Sequence, residues 1–165
     1  MTQCWRIVKK KRAGDAFSGE GARKAPGRWN HSGSAVVYCS ENLSLAALEL
    51  FMRLQGHGRH LSFVHFQIDI PNDVAVEAVT ADLLPAGWDF VPPMSNTKEL
   101  GNTWANDQRT AVLKVPSVAI RSEFNVILNP SHPDFAKIKI HNPPQPFSFD
   151  PRMWGDNPYS QEVVK

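Results

Sequence analysis

Residues 42–54 constrain the fold of this chain more than any other stretch. Leu43, Ala46, Ala47, Leu50, Phe51 and Leu54 recur at the spacing of one helical face, and Leu45, Leu48 and Met52 fill most of the opposite side. A helix apolar nearly all round is expected to be buried, with protein on several sides of it. Ser40 or Asn42 caps its start, because a side-chain oxygen there accepts a backbone N–H that has no partner inside the helix. Glu49 is the anomaly, since a carboxylate held away from water is costly unless it is paired or hydrogen-bonded. The residues alone leave two readings open: an ion pair with Arg53, one turn on in the favourable Glu-to-Arg order, or a carboxylate aimed into a cleft.

The segment before the helix is as unusual. Gly27, Arg28, Trp29 and Asn30 lead through a turn at 31–34 into an apolar strand over 35–39 that contains Tyr38 and Cys39. Arg28 either stacks on the neighbouring indole and caps a carbonyl, or offers its planar fork to a phosphate. Tyr38 either is a half-buried strand residue with its hydroxyl satisfied at the rim, or belongs to a site. Cys39, within an apolar strand, reads as an inert buried thiol. Cys4 and Cys39, in a chain without the apolar core of a secretory signal, read as free thiols of a reducing cytoplasm.

The remaining elements follow from periodicity and breakers. A strand over 5–8 runs into the basic residues 9–12, which read as a solvated strand end and not as an RNA contact. A loop spans 14–26. Residues 56–60 turn, and His57 and His60 have no Cys or acid at ligand spacing, so no metal site is expected. Residues 61–70 alternate as a strand, 74–79 form another, and 81–93 are irregular and packed by aromatics. A helix covers 96–109, capped by Ser95 or Thr97, with Trp104 as a core anchor. Strands follow over 110–115, ended by Pro116, and over 118–120 and 124–128; residues 138–140 make an edge strand guarded by Lys139. Ser117, just past the break, reads on its own as a turn hydroxyl.

These elements predict an α+β protein: a single compact domain over 1–154, with a mixed, mainly antiparallel sheet flanked by helices, and a polar tail over 155–165. With 42% hydrophobic and 21% charged residues the chain is globular, and a formal net charge of +2 is too small to suggest nucleic acid. No apolar run reaches the roughly 20 residues that span a bilayer, so no membrane contact is expected. No Gly-x-Gly-x-x-Gly fingerprint follows a strand, so a Rossmann mode of dinucleotide binding is not suggested.

Read together, the motifs resemble the RES-domain family, the toxin half of bacterial Xre/RES toxin-antitoxin pairs. The resemblance begins with Gly27-Arg28-Trp29-Asn30, Val37-Tyr38-Cys39-Ser40 and Ala46-Ala47-Leu48-Glu49. It continues through Leu100-Gly101, Trp104, Val115-Pro116-Ser117, Asn125, Leu128-Asn129-Pro130, His132 and Phe149-Asp150-Pro151-Arg152. It implies a fold related to ADP-ribosyltransferases and NAD as substrate, broken at the nicotinamide-ribose bond by water, phosphate or a protein acceptor. It implies catalytic roles for Arg28, Tyr38 and Glu49. Arg6, Arg28, Trp29, Tyr38 and Ser117 are then expected to hold the dinucleotide. It further implies an Xre-type DNA-binding antitoxin as partner and a possible homodimer within the complex.

Overall fold

The computed structural model describes residues 1–155. Eight strands form one sheet in the order β4-β5-β6-β2-β1-β3-β7, with β8 also paired to β3. Every pairing is antiparallel except β4 with β5, so the sheet is mixed and mainly antiparallel, as the pattern of elements predicts. Its spine is the long antiparallel pair of β1 (Thr2–Lys9) and β3 (Phe63–Ile70), in continuous register from Thr2 opposite Ile70 to Lys9 opposite Phe63. On the far side of β1 lie β2 (Val37–Ser40), β6 (Phe124–Leu128), β5 (Val112–Pro116) and β4 (Val76–Ala78). The other edge carries β7 (Lys139–Ile140) and β8 (Gln145–Phe147).

Both faces of the central strands are covered, and the alternation of side chains sorts them into two cores. Val37, Cys39, Val64, Phe66, Ile68, Val112, Val126 and Leu128 form one, joined by Phe17 and Phe135 from the connections. Trp29, Val36, Leu113, Val115 and Ile127 form the other, around Trp104 of α3 (Ser95–Asn106), which is fully buried as a core anchor should be. Trp104 satisfies its indole N–H on the Thr110 hydroxyl at 2.9 Å. Gly101 lets α3 approach the Trp29 backbone: a Cβ there would sit 1.9 Å from the Trp29 carbonyl oxygen. Cys4 and Cys39 are buried free thiols, and hydrogen bonding to Cys39 together with burial keeps Cys4 protonated.

Several local expectations are corrected. The basic run does not simply extend the strand: Lys10–Asp15 is a 3-10 turn, with Arg12 paired to Asp15 at 2.6 Å. The loop after it contains a short helix, α1 (Glu20–Lys24). Residues 118–120 make no strand, because the Ser117 hydroxyl accepts the backbone N–H groups of Ala119 and Ile120 and holds the chain in a turn. Pro116 ends β5 from within, beyond Lys114, the last residue that β4 reaches. The N-cap of α3 is Met94, without a side-chain bond; Thr97 instead donates its hydroxyl to the Met94 carbonyl. The helix over 43–54, α2 (Leu43–Leu54), is less enclosed than its composition predicts: only Leu45 and Ala46 are buried, and Met52 is 48% exposed. Its apolar surface beyond the core lines an open cleft. Residues 156–165 of the expected tail lie outside the described residues; Gly155 closes a 3-10 turn over Pro151–Trp154.

Candidate active site

Three strands stop together at one end of the sheet. Ser40 ends β2, Pro116 ends β5, and Asn125 near the start of β6 is in register with both Ser40 and Val115. The chain leaves β2 and turns directly into α2, because Asn42 accepts the Leu45 N–H at 2.7 Å, the capping role expected of it; Ser40 does not cap. This short connection lays α2 against β1 and β2 and brings Glu49 over the strand ends.

Glu49 is not held by Arg53. Its Oε1 accepts the Ser117 hydroxyl at 2.8 Å and the Asn125 amide at 2.6 Å, while Oε2 has no partner among the described residues. Asn125 is itself fixed, since its Oδ1 accepts the Ser40 hydroxyl at 2.7 Å across the register pair. Two donors on one oxygen orient the group and leave the second oxygen to face whatever enters.

The cleft beside it has a volume of about 460 Å³, within the roughly 300–1,000 Å³ of sites that enclose small molecules. Its walls include Arg6, Arg28, Trp29, Tyr38 and Glu49, so five residues singled out in the sequence meet in one place. Ser117 is the exception in position: it is fully buried behind Glu49 and donates a hydrogen bond to the carboxylate.

The turn that carries Arg28 is built on Tyr38. The Tyr38 hydroxyl donates to Asn30 Oδ1 at 2.8 Å and accepts the Trp29 N–H at 3.0 Å, and Asn30 Oδ1 also accepts the Gly27 N–H at 2.8 Å. Burial raises the Tyr38 pKa above its ordinary value, against the Trp29 N–H and the charges of Arg53 and Arg28, so the phenol stays neutral and able to donate. Gly27 packs so closely on the ring that a Cβ would lie 2.7 Å from Tyr38 Cζ. Trp29, 3% exposed, anchors the turn in the second core.

Arg28 donates Nη1 to the carbonyls of Trp88 and Phe90 at 2.6 and 2.8 Å. Burial lowers its pKa while Glu49, Asp89 and Tyr38 draw it back up. Arg6 donates Nε to the Ala16 carbonyl at 2.9 Å and Nη1 to the Tyr38 carbonyl, and burial is the main cause lowering its pKa. Neither guanidinium is neutralised by a carboxylate in contact among the described residues, so the cleft keeps a positive field. His132 lies apart from it, capping a 3-10 turn by accepting the Asp134 N–H. No group of three or more potential metal ligands occurs among the described residues.

The sequence reading missed Asn125, Ser40 and Asn30 as working parts. A polar side chain at position 125 inside the otherwise apolar 124–128 strand was the available signal for the first; the other two stand within the motifs that carry the resemblance, but their partners show only in the folded chain.

A family model described as RES domain matches residues 3–150. The chain is 39% identical over 156 residues to the Prs ADP-ribosylating toxin of a Sphingobium species, spanning 92% of this chain and 96% of that protein. It is 33% identical over 149 residues to toxin Res of Yersinia enterocolitica, spanning 90% and 97%. Among solved structures, the M. tuberculosis MbcT-MbcA toxin-antitoxin complex holds a chain of the same fold, with a TM-score of 0.74 at 18% identity over 93% of this chain and 87% of that one.

Proposed function

The chain belongs to the RES domain family, and on that premise we propose that it is the toxin of a toxin-antitoxin pair that breaks NAD at the nicotinamide-ribose bond, depleting NAD and arresting growth. The observation that carries this reading is the free Oε2 of Glu49, held by Ser117 and Asn125 at the wall of a cleft that also presents Arg28 and Tyr38. Breaking the bond sends its electron pair to the departing nicotinamide and leaves oxocarbenium-like charge on the ribosyl C1′. Glu49 Oε2 stabilises that charge from a cleft wall that also includes Leu50 and Met52. The acceptor then bonds to C1′ and gives up its proton. Arg28 grips the pyrophosphate, Arg6 adds a second cation behind it, and the Tyr38 ring orients the nicotinamide ribose. Trp29 supports the dinucleotide by anchoring the turn that presents Arg28, and Ser117 acts through Glu49.

Purified protein is expected to release nicotinamide from NAD, and Glu49→Gln to lower kcat by about 10²- to 10³-fold with its melting temperature retained. Turnover in that variant equal to the wild type sinks the assignment. A second reading is transfer of ADP-ribose to a cellular protein, favoured by the 39% identity to a toxin named for ADP-ribosylation. Labelled NAD distinguishes the two: a labelled protein band supports transfer, whereas loss of NAD with no labelled band supports cleavage with water or phosphate as acceptor.

The solved relative in complex with its antitoxin supports an antitoxin partner here. An Xre-type DNA-binding protein is the expected one, with a toxin homodimer inside the assembly; co-expression followed by light scattering tests both. The cytoplasm is the expected compartment, and no helix among the described residues is long and apolar enough to cross a membrane.

A further inference from the structure

Among the described residues, Arg53 is the one cation of the cleft that the fold leaves unused. It lines the same cavity as Arg6 and Arg28, yet it is exposed and has neither an ion pair nor a hydrogen bond among the described residues. Its natural partner one turn away, Glu49, is already held on Oε1 by Ser117 and Asn125. Arg6 and Arg28, by contrast, are fastened to main-chain carbonyls. Three guanidiniums therefore face a single carboxylate in the cleft wall, which leaves two positive charges in excess. Arg53 also reaches its neighbours electrostatically: burial raises the Tyr38 pKa and lowers that of Arg6, and the charge of Arg53 opposes the first shift and adds to the second. Unrelieved repulsion of this kind is a cost in the free protein, and a bound dianion removes it.

We propose that Arg53 is a phosphate-binding residue of the dinucleotide site, closing its unengaged fork on the pyrophosphate while Arg6 and Arg28 remain partly tied to backbone. A guanidinium with all of its donors available can meet a phosphate in a bidentate manner. Arg6 is tied through both Nε and Nη1, and Arg28, tied through Nη1 to two carbonyls, keeps only its Nε–Nη2 edge for a ligand. The proposal rests on the reading of the cleft as an NAD site, and it predicts that recognition of the substrate's phosphates depends on a residue outside the Arg28, Tyr38 and Glu49 set.

The experiment measures binding of ADP-ribose and of nicotinamide riboside, which has no phosphate, to the full chain and to its Arg53→Gln and Arg53→Lys variants by calorimetry at two salt concentrations. Arg53→Gln is expected to weaken ADP-ribose by about 10- to 100-fold, the scale of losing a hydrogen bond to a charged group. Its affinity for nicotinamide riboside should not change, and its dependence on salt should be shallower. Arg53→Lys should recover part of the affinity, and in steady-state assays the loss should fall on KM and not on kcat. Equal ADP-ribose affinity in Arg53→Gln and wild type overturns the proposal while leaving the NAD reading intact. Equal weakening of both ligands also overturns it, because the residue would then be shaping the cleft generally. Failure of the wild type to bind ADP-ribose or NAD at all removes the NAD reading, and this proposal with it.

Discussion

At Glu49 the two carboxylate oxygens are made unequal, Oε1 by two donors and Oε2 by none. Removing one donor should therefore impair catalysis more than binding. Asn125→Ala is expected to lower kcat for nicotinamide release by about 10- to 100-fold, the worth of a hydrogen bond to a charged group, with KM changing little. Ser40→Ala deprives the Asn125 amide oxygen of its donor, so it should cost about 1–3 kcal/mol of stability and part of kcat. Ser40→Thr should restore both, as thermal melts and initial rates will show. Gly27→Ala is a sharper probe of the turn. Its Cβ would fall 2.7 Å from the Tyr38 ring, so the phenol must move and activity should fall while the core at Trp104 stays intact; undiminished turnover would show that the ring's place is unimportant. Glu49 was legible at this scale because a carboxylate breaks the apolar pattern around it, and Arg28 through the family resemblance. Ser40 and Asn30 were not, since a hydroxyl and an amide in ordinary positions reveal their partners only once the strands are paired.

Among the elements, α2 shows what periodicity can and cannot supply. Its existence, its start at Asn42 and its placement after β2 follow from apolar spacing and capping. What covers its outer side does not. Phe51 packs on Phe149 and Trp154 at 5.4 and 5.0 Å between ring centroids, and Phe149 also meets Phe63 and Phe147. That clasp comes from a proline-rich stretch whose strand, β8, contains Pro146 and sits at the sheet edge, where a missing donor is tolerated. Phe149→Ala is expected to cost about 2–4 kcal/mol, somewhat below a fully buried phenylalanine, and to loosen the helix carrying Glu49; a denaturant midpoint unchanged from wild type would show the clasp to be ornamental. The turn over 118–120 was misread as a strand for a related reason: Val118, Ala119 and Ile120 suit a strand, but the Ser117 hydroxyl takes the N–H groups that a ladder would need.

For the molecule as a whole, the sheet order places β1 and β2 at the centre and gathers the functional residues at one end, with a separate polar cluster elsewhere on the sheet. There, Asp69 of β3, 6% exposed, accepts from His141 at 2.7 Å and from Gln3 of β1 at 3.1 Å. These bonds, led by the one from His141, hold its carboxyl below the usual range. A depressed carboxylate stabilises the fold fully above its unfolded pKa of about 3.9 and loses that contribution as pH falls through the lower folded value. Asp69→Asn should thus be less stable than wild type at pH 6, and the gap in melting temperature should narrow towards pH 2. A gap that is constant with pH would show that the charge contributes nothing. The α+β class and the mainly antiparallel sheet could be read from the spacing of elements, but the neighbours of β1 could not, because strand order depends on long-range pairings that no local pattern encodes.

The order in which the site's parts occur along the chain has a consequence for the cell that makes it. Translation delivers Arg28 and Glu49 early, but the hydroxyl and amide that set the acid arrive only with Ser117 and Asn125, and the aromatic brace at Phe149 and Trp154 later still. A half-finished polypeptide on the ribosome therefore carries its acid without the groups that orient it, and the site is complete only once the chain has been made through Trp154.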